Sequence, residues 1–402
     1  MKLVNQQLIK NNNLKILYRH IQQTPGVSRA QLSKLTGLSK TTVSSLIDEL
    51  IEKKFVQDTG ILDDTSSVGR KPNGLQLLHN HHFVVVIGWS SKNITANLVD
   101  ICGVIVKEIS QPYYENDPYI SSSRLLLDKI LSEDILREQI LGVCIVVPAM
   151  IDADRMNIFT TTLKVSPNES PDLLAEIRSV FSDFPVAILN DTACAAYAEK
   201  IYTRITQKDF AYINFQHGIG AALFIHDKLL GNATASYTQF GHYSIDPEGK
   251  QCSCGNKGCL ELMISEDSLN ERLRNAGCHS SLLLNSKITY ADLSSAALYG
   301  DPASQKVLRD MANDFSIALR NLICLVHPKL IIIGGKGKNL GPLFLDEVSS
   351  RLKETGFHRM LDSVQIRYSF LDSTAYFVGG MKYFFDIHYD FTQNLSGSFF
   401  IG

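Results

Sequence analysis

No run in this chain approaches the roughly 18 to 20 consecutive apolar residues that a helix needs to cross a bilayer, and no N-terminal segment couples a basic start to an apolar stretch. Membrane insertion and secretion are therefore not expected, and the expected compartment is the cytosol. A framework of paired cysteines is also missing. Of eight cysteines, Cys102, Cys144, Cys194, Cys278 and Cys324 stand singly among apolar neighbours and read as reduced core residues. Low-complexity tracts are absent, and no linker exceeds one polar stretch at residues 57–73. Against these absences, 45% of the 402 residues are apolar, enough for two or three folded units with real cores.

Net charge is small, at -2, yet unevenly spread. Residues 1–80 hold 11 of the 39 Lys/Arg and 6 of the 41 Asp/Glu, leaving 28 against 35 for the rest. A basic head thus precedes an acidic body, the distribution expected when the head alone meets a polyanion.

Leu14, Ile16, Leu17 and Ile21 share one helical face and predict a first helix. After Thr24-Pro25-Gly26, the stretch VSRAQLSKLTGLSKTTVSSLIDELIEKKFV divides into two helices at Thr36-Gly37. Ser28 with Gln31 has the form of a capping box, and Ser39 is placed to cap the next helix. Ala30, Leu32, Leu35 and Leu38 are expected to face inward with Val43, Leu46, Ile47 and Leu50, giving a helix-turn-helix. Its second helix opens on Ser39, Lys40, Thr41, Thr42, Ser44 and Ser45, short hydroxyls and a lysine able to approach base edges and phosphates. No acid follows until Asp48. Phe55-Val56 and residues 75–77 are expected to form wing strands, with Gly69-Arg70-Lys71-Pro72 as a basic finger for a narrow minor groove. Singly, Lys40 and Arg70 read equally as solvated charge; the pattern around them favours DNA. The candidate DNA contacts are Ser28, Arg29, Ser39, Lys40, Thr41, Thr42, Ser44, Arg70 and Lys71.

From residue 81 strands and helices alternate, the signature of an α/β body. FVVVIGW, ITANLVD and GVIVKEI read as a meander, followed by a helix at residues 120–136 and a strand ending at Pro148. A helix at residues 171–181 leads to PVAILNDTACAAYAE, which sets Asn190 and Asp191 at a strand's carboxyl end, where such sheets open to small ligands. An Asn-Asp pair grips vicinal hydroxyls as donor and acceptor, and the carboxylate is a candidate base toward a hydroxyl. The plainer reading makes Asp191 a helix cap. Glycine turns follow at His217-Gly218-Ile219-Gly220 and Gly334-Gly335, and YFVGGMKYFFDI starts a terminal helix. The only internal duplication suggested is of two meandering α/β halves.

GHYSIDPEGKQCSCGNKGCLE, residues 241–261, carries the densest chemistry. Cys252, Cys254 and Cys259, with His242 ten residues upstream and Gly255 and Gly258 as turns, fit a closed Cys3His zinc site of the structural kind. The alternatives are incidental buried cysteines, or a metal or redox sensor controlling DNA binding.

These motifs together resemble the ROK family of repressors, open reading frames and sugar kinases, in particular its branch of xylose and N-acetylglucosamine repressors. The resemblance spans nearly the whole chain through the helix-turn-helix with GRKP, ILNDTACAAYAE, HGIGAALF, QFGHYSID, CSCGNKGCLE and IIIGG. It implies a winged helix-turn-helix at residues 1–80 before a two-lobed, actin-like, sugar-kinase-like body. The first lobe would cover 81–194 and be completed by a C-terminal helix at about 380–402; the second would cover 195–379. It further implies zinc on His242, Cys252, Cys254 and Cys259, and sugar hydroxyls held by Asn190, Asp191, Gln239, His242 and Glu261. The implied partners are double-stranded operator DNA, a sugar or sugar-phosphate inducer, and further copies of the chain as a homodimer or homotetramer.

Departures from the kinase pattern separate regulator from enzyme. Where kinases of the family carry Asp-x-Gly-Gly-Thr around the ATP phosphates, this chain has IGWSSKN, without the Asp and the paired glycines. Gln216 replaces the first glycine of the second phosphate turn, Gln239 stands where a sugar-binding Glu is usual, and Ala149 replaces the glycine after the cleft proline. The expectation is a repressor of carbohydrate-utilisation genes with no catalytic residues and no ATP. A sugar kinase with a fused head, or a regulator controlled by a protein partner, is the alternative.

Overall fold

The computed structural model describes residues 6–61, 73–114, 118–131, 135–160, 162–163, 170–216, 218–234, 238–276, 280–284, 287–354, 358–361 and 363–402. The expected finger residues Gly69, Arg70, Lys71 and Pro72, and His217 of the glycine turn, lie outside that set.

Apolar periodicity builds the head. Helices α1 (Gln6–Gln23), α2 (Arg29–Thr36) and α3 (Lys40–Glu52) bury Leu14, Leu17, Ile21, Leu32, Val43, Leu46, Ile47 and Leu50 together. Ser28 and Gln31 form the expected capping box, and Ser39 caps α3 by accepting from the Thr42 amide at 3.1 Å. Two of the predicted inward residues point elsewhere: Ala30 is exposed and Leu35 is 58% exposed. Ala30 lies two residues before Leu32, about 200° around the helix, and α2 ends one residue after Leu35. Strands β1 (Val27–Ser28), β2 (Val56–Ile61) and β3 (Asn73–Leu77) form the wing sheet in the order β1-β3-β2.

Gly37 ends α2 at φ 73°, with open space around the position of a Cβ. Gly37→Ala therefore meets only the backbone cost of a left-handed residue, about 1 kcal/mol. Denaturant unfolding is expected to show a stability lower by that amount, as a lower midpoint at an unchanged slope.

Two sheets of like topology make the body, as the suggested duplication implied. The first contains β4 (Phe83–Trp89), β5 (Asn93–Asp100), β6 (Ile105–Pro112), β7 (Ile140–Val147) and β10 (Val186–Asn190), with the small hairpin β8 (Met150–Asp152) and β9 (Asn157–Phe159) beside it. The second contains β11 (Phe210–Phe215), β12 (Ile219–Ile225), β13 (Lys228–Leu229), β14 (Leu330–Gly335) and β15 (Gln365–Tyr368). Each has an antiparallel meander, β6-β5-β4 or β13-β12-β11, extended by two parallel strands, β7-β10 or β14-β15. The inner parallel strands β7, β10 and β14 read as near-continuous apolar runs because both their faces are covered, whereas the edge strand β15 is polar and partly exposed.

On the first sheet lie α4 (Tyr119–Ile130) and α5 (Ser170–Val180), while α6 (Asp191–Tyr202) joins the sheets. The second sheet carries α7 (Leu260–Ile264), α8 (Leu269–Asn275), α9 (Tyr290–Leu298), α10 (Pro302–Val326), α11 (Gly341–Glu354) and α12 (His358–Leu361). Helix α4 stops at Ile130, short of the predicted 136. The chain then returns to the first sheet through α13 (Ala375–Tyr383), which packs on α6.

The ending differs from the expected helix over about 380–402. Regular α-helix stops at Tyr383, Phe384–His388 is a π turn, and β16 (Phe399–Ile401) pairs in parallel with β10. Two aromatics and an isoleucine suit an edge strand, and Gly397 at φ 73° turns the chain into it.

Head and first lobe share one continuous apolar core. His82 stacks on Phe55 at 4.2 Å between centroids and its Nε2 meets the Lys53 carbonyl at 2.8 Å. The Asp100 carboxylate accepts from the Asn80 and Cys102 amides, fastening the link between β3 and β4. Among the described residues no helix is long and apolar enough to cross a membrane.

Candidate functional site

A cavity of about 530 Å³ opens between the two sheets. Its wall brings together Asn190, Asp191, Gln239, His242 and Glu261, the five residues singled out as candidate ligand contacts. The ends of β10 and β12 supply one side, hairpin β8–β9 another, and the cysteine loop a third.

At the β10–α6 junction the cap is Asn190, one residue earlier than the plainer sequence reading placed it. Its Oδ1 accepts from the Ala193 amide at 2.9 Å and its Nδ2 donates to the Ala149 carbonyl at 2.9 Å. Capping by Asn190 leaves Asp191 as the first helical residue, half-buried on the cavity wall. Burial pushes its carboxyl up to about 6, against hydrogen bonds from the Thr192 amide (2.7 Å) and hydroxyl (3.3 Å) that favour the ionised form.

Glu261 leans from the first turn of α7 onto the glycine turn, where its Oε2 accepts from the Ile219 amide at 2.7 Å. A Cβ on Gly218 would sit inside the van der Waals radius of that same oxygen. Gly218→Ala is expected to push the carboxylate away, with cavity-ligand affinity falling about tenfold in calorimetry while the fold persists.

The cysteine loop stands at the cavity's rim. His242 Nδ1 and Cys252 Sγ are 3.6 Å apart, Cys254 Sγ and Cys259 Sγ 3.6 Å, and all four donor atoms lie within 4.8 Å of one another. A tetrahedron with arms of about 2.3 Å has edges of about 3.8 Å, so the donor set fits a four-coordinate soft divalent ion. Burial raises the Cys252 thiol, but hydrogen bonds from Cys254 and His242 outweigh it and bring the thiol down to about 7. Burial and then the neighbouring sulfurs push Cys259 up to about 12. Sulfurs this close repel one another as thiolates, and a cation among them would relieve that repulsion.

Backbone geometry makes the loop. The amide of Cys252 donates to the Asn256 carbonyl at 2.7 Å and that of Gly258 to the Lys250 carbonyl at 2.8 Å. At φ 59°, Gly258 lies so close to the Asp246 carbonyl that no side chain fits. His242 belongs to both features, its Nδ1 toward the sulfurs and its ring on the cavity wall.

In the head, Ser39, Lys40, Thr41 and Ser45 are exposed along the start of α3, with Thr42 and Ser44 half-buried beside them. Ser28 is buried in its capping box, and Arg29 bonds Asp48 at 2.7 Å and the Ser44 carbonyl at 3.3 Å. Both residues are thus committed to contacts inside the head.

Other residues on the cavity wall escaped the sequence reading: Asn157 and Thr160 on or beside the β8–β9 hairpin, and Thr192 and Asn214. Asn214 Nδ2 donates to Thr192 Oγ1 at 3.2 Å, a tie from β11 to the first turn of α6 that only tertiary packing creates. Gln216 lies on this wall and also borders a second cavity, of about 190 Å³, with Ser91, Lys92, Glu266, Asp267 and Lys336. Here the two stretches compared with kinase phosphate turns meet, and the space carries two carboxylates, one paired with Lys336 at 3.2 Å.

Two like-folded lobes around a cleft, behind a winged helix-turn-helix, define the class. The ROK family profile matches residues 126–379, and a winged helix-turn-helix DNA-binding profile matches 10–57; this chain belongs to the ROK family. Among its relatives is the xylose repressor of Bacillus subtilis (strain 168), 28% identical over 383 residues that cover 93% of this chain and 95% of the relative. The DNA-binding transcriptional repressor Mlc of Escherichia coli (strain K12) is 27% identical over 357 residues, 86% of each chain. In solved structures the fold recurs in a ROK family transcriptional regulator described as a homolog of the E. coli MLC protein. The TM-score is 0.78 at 23% identity, over 93% of this chain and 96% of that one. A ROK family glucokinase from Streptomyces griseus, in complex with glucose and AMPPNP, matches the body. Its TM-score is 0.60 at 22% identity, over 74% of this chain and 97% of the kinase.

Proposed function

We propose that this chain is a DNA-binding transcriptional repressor of carbohydrate-utilisation genes, released from its operator when a sugar or sugar phosphate enters the cleft. One observation carries the reading: a single chain joins a hydroxyl-rich, acid-poor helix face to a cavity lined by Asn190, Asp191, Gln239, His242 and Glu261. Relatives named as a xylose repressor and as the repressor Mlc support it.

In this reading residues 1–80 contact DNA, with Lys40, Thr41, Thr42 and Ser44 at the bases and phosphates and Arg70 and Lys71 as the minor-groove finger. The lobes from 81 and from 195 close on the sugar. Asp191 and Glu261 accept hydrogen bonds from its hydroxyls. With His242 held through Nδ1 at the sulfurs, its Nε2 carries the proton and donates toward the cavity. Zinc on His242, Cys252, Cys254 and Cys259 supplies a crosslink that fixes both ends of this wall. The protein acts in the cytosol, as a homodimer or homotetramer on a palindromic site.

Phosphoryl transfer is the second reading, favoured by the carboxyl of Asp191 near 6, suited to a base. Against it, the first phosphate turn reads IGWSSKN, without the Asp and paired glycines, and Gln216 replaces a glycine of the second. Selection of genomic fragments by the full chain, followed by gel shift with monosaccharides and their phosphates, tests the proposal. Sequence-specific binding relieved by one sugar is expected. Absence of any selected sequence, or ATP-dependent sugar phosphorylation in a coupled assay, would overturn it.

A further inference from the structure

We infer that Asp386 is a positioning residue through which the state of the cleft sets the angle of the DNA-binding head, with Tyr197 as the side chain linking the two. This rests on the sugar-responsive reading above and assigns it a physical path.

Helix α6 starts in the cavity at Asp191, and six residues on, about 9 Å along the axis, the Tyr197 hydroxyl donates to Asp386 Oδ2 at 2.9 Å. The other oxygen, Oδ1, accepts from Lys382 Nζ at 2.9 Å, and both charges are buried. From the head, Lys15 Nζ donates to the Asp386 main-chain carbonyl at 2.8 Å and Arg19 Nε lies 3.9 Å from Oδ1. One residue therefore gathers contacts from α6, from α13 and from α1. Aromatic packing surrounds it, with Tyr18 against Phe385 at 4.8 Å and Phe55 against Phe391 at 4.9 Å.

The route is stiff. At Gly379 the backbones of α13 and α6 touch, since a Cβ would overlap the Cys194 carbonyl, so a shift of α6 cannot be absorbed by rotamer changes. Toward the second lobe, the fully buried Glu199 of α6 accepts from Arg367 at 2.9 Å and from Ser369 at 2.5 Å. A helix tied to both lobes must move when they close. Asp386 itself lies in the π turn Phe384–His388, and a turn holding one residue more than an α turn offers a second register to the segment under the head.

Hydrogen exchange on the full chain tests this, first without sugar and then with millimolar D-xylose and D-glucose. Without sugar, Asp386→Asn and Tyr197→Phe are each expected to speed exchange in α1 by about fivefold or more, because the head loses its anchor. With sugar, wild type is expected to change protection both around the cavity and in α1, whereas Tyr197→Phe keeps the cavity change and loses the one in α1. That split separates positioning from a merely structural role, and Tyr197→Phe keeps the test open if Asp386→Asn, which strands Lys382, does not fold. Unaltered α1 exchange in the sugar-free variants, or an α1 response to sugar that survives Tyr197→Phe, overturns the inference. If neither sugar alters the cavity of the wild type, the sugar reading is what fails for these sugars, and the sugar-free arm decides the role of Asp386 alone.

Discussion

Cys259→Ser is expected to cost the protein its bound metal and its cavity together. The sulfur is fully buried, 3.6 Å from that of Cys254, and sits at the residue immediately before α7, two positions from Glu261. Serine retains the volume but gives up the thiolate, so a four-donor site falls to three. Elemental analysis should drop from about one equivalent of zinc toward zero, and stability should fall by on the order of 5 kcal/mol, because metal binding to a folded site is folding free energy. The damage extends beyond the loop. Once α7 is free to shift, Glu261 leaves the Ile219 amide and any ligand-induced rise in melting temperature should vanish. Cys324, expected from the sequence in the core, is instead exposed and away from the cluster; Cys324→Ser is the control and should change neither reading. Metal retained by Cys259→Ser would end the zinc assignment; metal lost with the ligand response intact would end the scaffold role.

Asp191→Asn should weaken the cavity's ligand by about a hundredfold or more while making the empty protein more stable. Burial holds the carboxyl near 6, against about 3.9 in an unfolded chain. Between those values the folded state binds a proton that the unfolded state has released. The contribution of Asp191 to stability therefore declines as pH rises from about 4 to about 6 and stays at the lower level above. Asparagine does not titrate. The variant should match the wild type near pH 4 and exceed it by about 1–3 kcal/mol at pH 7, a rise of a few degrees in melting temperature. Denaturation at pH 4, 5, 6 and 7 checks the sign. A variant less stable than wild type at pH 7 would show that the carboxylate is a structural ion and not a ligand-binding group held under strain.

The head was legible in the sequence because its signals are local. Ser28, Gln31 and Ser39 mark helix starts through side chains that bond their own neighbours, Gly37 marks a helix end through its left-handed backbone, and the structure keeps each in that part. Leu35 was misread because an apolar residue at a helix end looks buried whether or not a partner faces it. In the cavity, Asn190 and Asp191 announced themselves by standing at the end of an apolar strand. Asn157, Thr160 and Asn214 gave no such signal: they belong to a hairpin of three-residue strands and to a meeting of β11 with α6, both settled by distant packing. The terminal segment was misassigned for the same reason. Phe399 becomes a strand residue only because Val186 lies open beside it.

That late pairing bears on how the protein is made. The first sheet lacks its outermost strand, and α6 its α13 partner, until residues 375–401 have left the ribosome, tens of seconds after β10 at about 5–20 residues per second. Head residues Lys15 and Asn11 wait longer still, across 371 and 380 residues, for Asp386 and Phe391. A nascent chain thus holds α1–α3 without the contacts that fasten α1 to the body until residues 386–391 have emerged. Long-range closure of this kind is also slow, so the unpaired edge of β10 is where a chaperone has most to protect.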